Sequence, residues 1–359
     1  MDAQRRADDL VSDTTPLLYL GTAKGLHILR SDAHRRTWIP VEHVLVEHDI
    51  SALAWDARDQ GVLFAGTADG ILLRSADAGA SWEPAADGLT GQKIWTIVPD
   101  PHHAAGALYA GLDGGHLFHS ADAGASWCEL LGLRALPDVA DWWGPFGPAL
   151  LHSILPVADQ PGQIYAGLSV VGVLTSADGG ATWRDVTAEI PRIPHERADG
   201  PCLADIHKLA LHHCDPTRLY ATTHYGTFRS DDAAASWQSI GAGLPFEMTR
   251  PLALHPRDPD TLYVVAHEDA PDNQLPIISG PLLVHRSRDA GRSWQALGVG
   301  LPERANCAVL REALTADDAT PCGLYLGTNR GQVFASVDEG DSWRLIADVG
   351  ASVRVVRVR

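Results

Sequence analysis

The eight residues Ser75–Trp82 (SADAGASW) recur unchanged at Ser120–Trp127. The same pattern, Ser, any, Asp, any, Gly, any, Ser or Thr, Trp, returns as SADGGATW ending at Trp183, SRDAGRSW ending at Trp294 and SVDEGDSW ending at Trp343. In SDDAAASW, which ends at Trp237, Ala234 replaces the Gly, and SDAHRRTW, which ends at Trp38, keeps only Ser31, Thr37 and Trp38. Successive Trp residues of these seven copies are 44, 45, 56, 54, 57 and 49 residues apart. A period of about 40–50 residues suits the four-stranded blade of a β-propeller.

The stretches around each copy supply the four strands. LYLG, LFAG, LYAG, IYAG, LYAT, LYVV and LYLG are short apolar runs upstream of the seven copies and read as second strands. GILLRS and GQVFAS read as third strands, and the Trp opens a fourth. ISALAW, IHKLAL and TRPLAL supply first strands. The expected fold is all-β: one seven-bladed propeller over residues 16–359, preceded by a polar tail at 1–15. The first blade starts at LLYLG and lacks its own first strand, whereas the final SVRVVRVR alternates apolar and polar residues as a strand does. The C-terminal strand is therefore expected to complete that blade and close the ring, which removes exposed sheet edges.

A repeated motif of this kind serves architecture. Its Ser and Asp can bond local backbone in the hairpin between strands three and four. Its Gly permits a positive φ, and its Trp packs between blades. The copies resemble the BNR, or Asp-box, repeat of sialidases, sortilin-type receptors, xyloglucanases and photosystem assembly factors. Over nearly its whole length, on LHSI, IHKLALH, HPRDPDTLYVV and GQVFAS, the chain is similar to bacterial WD40/YVTN/BNR-like propellers that carry glycosyl hydrolase or exo-sialidase labels. The resemblance implies the fold and leaves the reaction open, because propellers host many functions.

Composition bounds the partners. A formal net charge of −17 argues against nucleic acid or anionic membrane. No apolar stretch approaches about 18 residues, and no signal-peptide core is visible, which reads as cytoplasmic. The 5 Cys are scattered, with no CxxC, so a disulfide framework is not expected.

Three insertions, RALPDVADWWGPFGPAL, AEIPRIPHERADGPCLA and HEDAPDNQLPIISGP, fall on the face away from the repeated hairpins and suggest a lid or pocket wall. Counting twelve residues back from the second strands places Ser51, Thr96, His152, His207 and Arg250 at the channel mouth on that face, with Arg311 thirteen back. Loops after the second strands add Asp69, Asp113, His224, His267 and Glu268.

His152, His207 and His224 come from adjacent blades. Three imidazoles with an open fourth position can hold a divalent ion (Zn, or Cu, Fe or Mn), with His267 or Glu268 completing the set or Glu268 acting as base. The alternative is hydrogen bonding to channel waters. Arg250 and Arg311, with Lys208 nearby, suit a small anionic ligand or an acidic sugar, unless they pair with Asp49, Asp205, Glu247 or Glu312. Trp142 and Trp143 are placed either to stack on a sugar or to anchor their loop. Tyr225 is the only one of the 7 Tyr outside a second strand. With no visible arginine triad and seven blades instead of six, a true exo-sialidase is not expected. Three functions remain: a metal-dependent lyase or hydrolase acting on a small anion, a non-catalytic binding or assembly scaffold, and a glycosidase built on carboxylates such as Asp69, Asp113 or Glu268.

Overall fold

The computed structural model describes residues 15–56, 59, 61–103, 106–137, 139, 142–144, 147–192, 204–212, 214–268 and 277–359. Residues 1–14 of the expected tail, and most of the second and third insertions, lie outside them. Among the described residues there are seven four-stranded antiparallel sheets and no helix. The innermost strands of blades 1 to 7 are Val353–Val358, Ile50–Trp55, Ile94–Pro99, Leu151–Pro156, Ile206–His212, Thr249–Leu254 and Leu314–Ala316. Each packs on the next, and the last packs on the first. The fold is a seven-bladed β-propeller.

Closure happens where the alternation of the last ten residues predicts it. Val353–Val358 runs antiparallel to Leu17–Thr22 and becomes the innermost strand of blade 1. Main-chain bonds of 2.9 Å in both directions between Leu17 and Arg359 fasten its end.

The repeated octapeptide is a self-contained turn. In blade 2 the Ser75 hydroxyl donates to Asp77 at 2.7 Å and accepts the Gly79 N–H at 2.8 Å. Asp77 in turn accepts the Ser81 N–H at 2.8 Å and its hydroxyl at 2.6 Å. The same four bonds recur in blades 3 to 7, which is why the letters repeat. Ala234 adopts φ +65° at the glycine position, a left-handed conformation that costs an L-residue roughly 1–2 kcal/mol. In the degenerate first copy Asp32 keeps part of the role, accepting the N–H groups of His34 and Arg36. The indoles of Trp127, Trp237 and Trp294 donate to carbonyls of the preceding blade, those of Ala85, Val186 and Ile240.

The second strands bind blade to blade. The six tyrosines Tyr19, Tyr109, Tyr165, Tyr220, Tyr263 and Tyr325 are all buried. The Tyr19 and Tyr165 hydroxyls donate to Ala78 and Ala233, the left-handed turn residues of the next blade. The Gly that ends LFAG and LYAG marks close approach: a Cβ at Gly66 would stand 2.6 Å from the Ile94 side chain, and one at Gly111 2.5 Å from the Leu151 carbonyl. In these blades the neighbouring inner strand lies where a side chain would stand.

Candidate functional site

One local irregularity builds the channel mouth. In blades 1 to 5 the innermost strand carries a β-bulge whose extra residues are Arg354, Ser51, Trp95, His152 and His207. Blade 6 skips Arg250 and Pro251 in the same way. A bulge leaves a residue out of the ladder and re-aims its side chain. Arg354, Ser51, Trp95, His152 and Arg250 line one cavity of about 200 Å³, together with Lys93, Leu310, Arg311 and Glu312. The spacing rule therefore locates the ring, with one slip: Trp95 takes the bulge in blade 3, while Thr96 pairs with Gly111.

Near this cavity, but outside its lining, three donor atoms converge. Asp205 Oδ2 lies 2.8 Å from His224 Nδ1 and 3.4 Å from His207 Nε2, and the two imidazole nitrogens are 3.0 Å apart. His207 Nδ1 donates to the Thr249 carbonyl at 2.6 Å, which leaves Nε2 as the atom with a free lone pair. Burial pushes His207 down to about 4, against the pull of Asp205, so the ring is neutral near pH 7. Burial opposes ionisation of Asp205, but the two imidazoles hold it well below the usual carboxylate range. The set is thus one carboxylate and two imidazoles, as divalent-ion sites use.

The expected three-histidine set is corrected here. His152 does not belong to the cluster; Asp205, two residues before His207, takes its place. His152 is buried, with Nδ1 3.3 Å from the Ser153 hydroxyl and Nε2 without a partner. His267 is no ligand either. Its Nδ1 donates to the Val265 carbonyl of its own blade at 3.2 Å and its Nε2 accepts the Val309 N–H at 3.1 Å, so both nitrogens are taken and the second joins blade 6 to blade 7.

The cavity lining itself is cationic, with Lys93, Arg250, Arg311 and Arg354. Arg250 and Arg311 form no ion pair among the described residues, and the Nε atoms of both are buried without partners. The charge of Asp205 acts on both without forming an ion pair, and two other carboxylates are engaged elsewhere. Asp49 binds Arg354 through bonds of 3.1 and 2.9 Å, and Glu312 takes Lys208 and Arg357. Burial, and then the charge of Arg311, push Arg250 down to about 9. A guanidinium does not give up its proton in proteins, so Arg250 stays charged in this surrounding. Lys93 lies 3.5 Å above the Trp95 ring, and burial brings it to about 8.

Lys208 is not free for a ligand. It crosses the channel from blade 5 to Glu312 of blade 7, which also holds Arg357 of blade 1 at 2.6 Å. Glu312 lines the upper cavity, and Arg357 lines a second cavity of about 410 Å³ at the other channel end. The ion triad is the floor between them. Glu312→Gln is expected to destabilise the protein by about 2–3 kcal/mol, toward the low end for a broken buried pair because the site is partly hydrated. Lys208 and Arg357 hold Glu312 down at about 2 despite its burial. The wild-type contribution is therefore full above the ordinary carboxylate range and fades as pH falls toward 2. Urea melts of both proteins at pH 7 and pH 3 check this: the gap should narrow at the lower pH.

The remaining candidates lie apart from the cavity. Asp113 accepts the Trp95 indole N–H at 2.5 Å. Glu268 accepts the Ser279 hydroxyl at 2.7 Å, and the Tyr225 ring is 6.0 Å from that of His224. Trp142 is buried against the Gly115 turn and anchors its loop, whereas Trp143 is exposed. A second cluster, Asp100, His103 and His119, lies outside the channel: Asp100 Oδ2 is 2.5 Å from His103 Nδ1 and 3.0 Å from His119 Nε2.

No family model and no curated protein matches the chain. Solved structures do. An ancestral GH74 enzyme superposes with a TM-score of 0.63 at 16% identity, covering 83% of this chain and 38% of its own. The GH74 enzyme of Niastella koreensis gives 0.57 at 13%, covering 95% and 66%. YCF48 from Cyanidioschyzon merolae gives 0.58 at 13%, covering 86% and 87%. This chain thus spans less than two thirds of either GH74 structure. What these proteins share with it is the propeller fold.

Proposed function

We propose that this protein is a metal-dependent enzyme that acts on a small anion, by hydrolysis or elimination, at the channel mouth. The observation that carries the reading is the Asp205–His207–His224 cluster set beside two buried, unpaired arginines. Donor separations of 2.8, 3.0 and 3.4 Å suit one face of a tetrahedral ion, whose ligands at 2.0–2.1 Å stand about 3.3 Å apart. A divalent ion there would activate water or polarise the bound anion. Arg250 and Arg311 would orient the anion, with His152 Nε2 free to exchange a proton with it.

A second reading, a binding scaffold without turnover, draws on the YCF48 structure with a bound D1 peptide, which shares the fold at a TM-score of 0.55 and 16% identity. The glycosidase reading has less support, since Asp113 and Glu268 are bonded away from the cavity. The Ser–Asp hydrogen-bonded turns support kinship with Asp-box propellers, which distinguishes none of the three. Metal-stripped and metal-reloaded protein assayed on a panel of small phosphate, sulfate and carboxylate esters and hydroxy acids tests the proposal. Turnover should require metal and fall at least about 100-fold in Asp205→Asn, by the measure of lost metal-site contacts. Metal-independent turnover, or binding without turnover throughout the panel, would overturn it.

A further inference from the structure

Arg250, Arg311 and His152 line the cavity, and among the described residues Arg250 Nε, Arg311 Nε and His152 Nε2 are buried with no hydrogen-bond partner. They come from blades 6, 7 and 4, each on or beside an innermost strand. An unpaired buried guanidinium is costly, and two in one cavity are costlier. Asp205 offsets part of this charge, and a dianion would balance the remainder together with that of Lys93. Lys93 and Arg354 add positive potential, the latter partly cancelled by Asp49.

The volume limits the rest of the molecule. A cavity of about 200 Å³ admits one tetrahedral anionic group with a few more atoms. The arrangement also favours one compact group over two separated carboxylates. Arg250 and Arg311 line the same cavity, and the charge of Arg311 acts against that of Arg250 there. A planar fork from each side matches adjacent oxygens of a single phosphoryl group.

We propose that the cavity binds the phosphoryl dianion of a small phosphate monoester, or inorganic phosphate, through Arg250, Arg311 and His152. Ser153 sets the imidazole for this task. Its oxygen accepts the Leu209 N–H at 3.1 Å and lies 3.3 Å from His152 Nδ1, which fixes the orientation of the ring. The inference rests on the proposed function for the location of the site. Its three ligands are not members of the Asp205–His207–His224 set, although the Asp205 charge acts on all three.

The test is calorimetric titration of the metal-stripped full chain with inorganic phosphate at pH 7.5, repeated with sulfate, succinate and acetate. Saturable 1:1 phosphate binding is expected, with sulfate weaker but measurable, succinate at least about 10-fold weaker than phosphate, and acetate undetectable. Arg250→Gln and Arg311→Gln should each weaken phosphate at least about 10-fold, in line with the loss of a charged hydrogen bond. If either variant fails to fold, Arg250→Lys, which keeps the charge without the fork, should still lose several-fold. Absence of phosphate binding to wild type, undiminished binding in the Arg variants, or tighter binding of succinate would overturn the inference. Phosphate binding by a protein that takes up no metal would refute the metal site and leave this inference standing. Stoichiometric metal without phosphate binding would do the reverse.

Discussion

Removal of residues 350–359 is expected to abolish soluble, folded protein. These residues carry Val353, Val355 and Val356, all fully buried against Leu17–Thr22 and the flanking blades. Returning three buried valines to water costs about 5–9 kcal/mol at about 1.5–3 each. That is comparable to the whole stability of a typical domain, about 5–15 kcal/mol. The deletion also strips two ion pairs, Arg354 with Asp49 and Arg357 with Glu312. It leaves Leu17–Thr22 as an open edge, an invitation to aggregate. Gel filtration and circular dichroism of the truncated chain check the expectation. Fusing 350–359 ahead of residue 16 through a short Gly-Ser turn should restore folding, because Arg359 already lies beside Leu17. A monomeric, well-folded truncation would contradict the closure.

His207→Ala is expected to weaken divalent-metal binding at least about 100-fold, since loss of mere outer contacts to metal ligands already costs 10–100-fold. The side chain is fully buried and bonded to the Thr249 carbonyl, so some stability goes with it. His224→Ala separates the two effects. His224 is partly exposed and makes its bonds to Asp205 and His207, so its removal should take the metal and leave the melting temperature within a few degrees. If metal affinity survives both changes, the donor set is wrong.

Much of this was legible in the letters because the repeat has a physical cause. Each octapeptide satisfies its own hydrogen bonds, so the same residues recur, and the count of seven follows. The channel mouth was partly legible for a related reason: equivalent bulges stand at nearly equal distances from the second strands. The rule slips by one at Trp95. It offers nothing for Arg354, which sits in the borrowed C-terminal strand, or for Lys93, which precedes the bulge by two residues. Asp205 was named only as a partner for an arginine. Nothing in a local pattern tells that it precedes His207 in a turn that brings its carboxylate to the imidazoles. His267 misled in the opposite way, since a histidine with both nitrogens taken by backbone looks in sequence like any other. Lys208 misled because its partners lie 104 residues away at Glu312 and, through it, at Arg357.

The central claim, a divalent-ion site held by Asp205, His207 and His224, is tested most directly by elemental analysis of the protein purified without a histidine tag and incubated with Zn²⁺ or Mn²⁺ before desalting. The account predicts one equivalent of metal per chain in wild type and a small fraction of that in Asp205→Asn and His224→Ala with the propeller intact. Wild-type protein that retains no metal, or variants that retain as much as wild type, would contradict it.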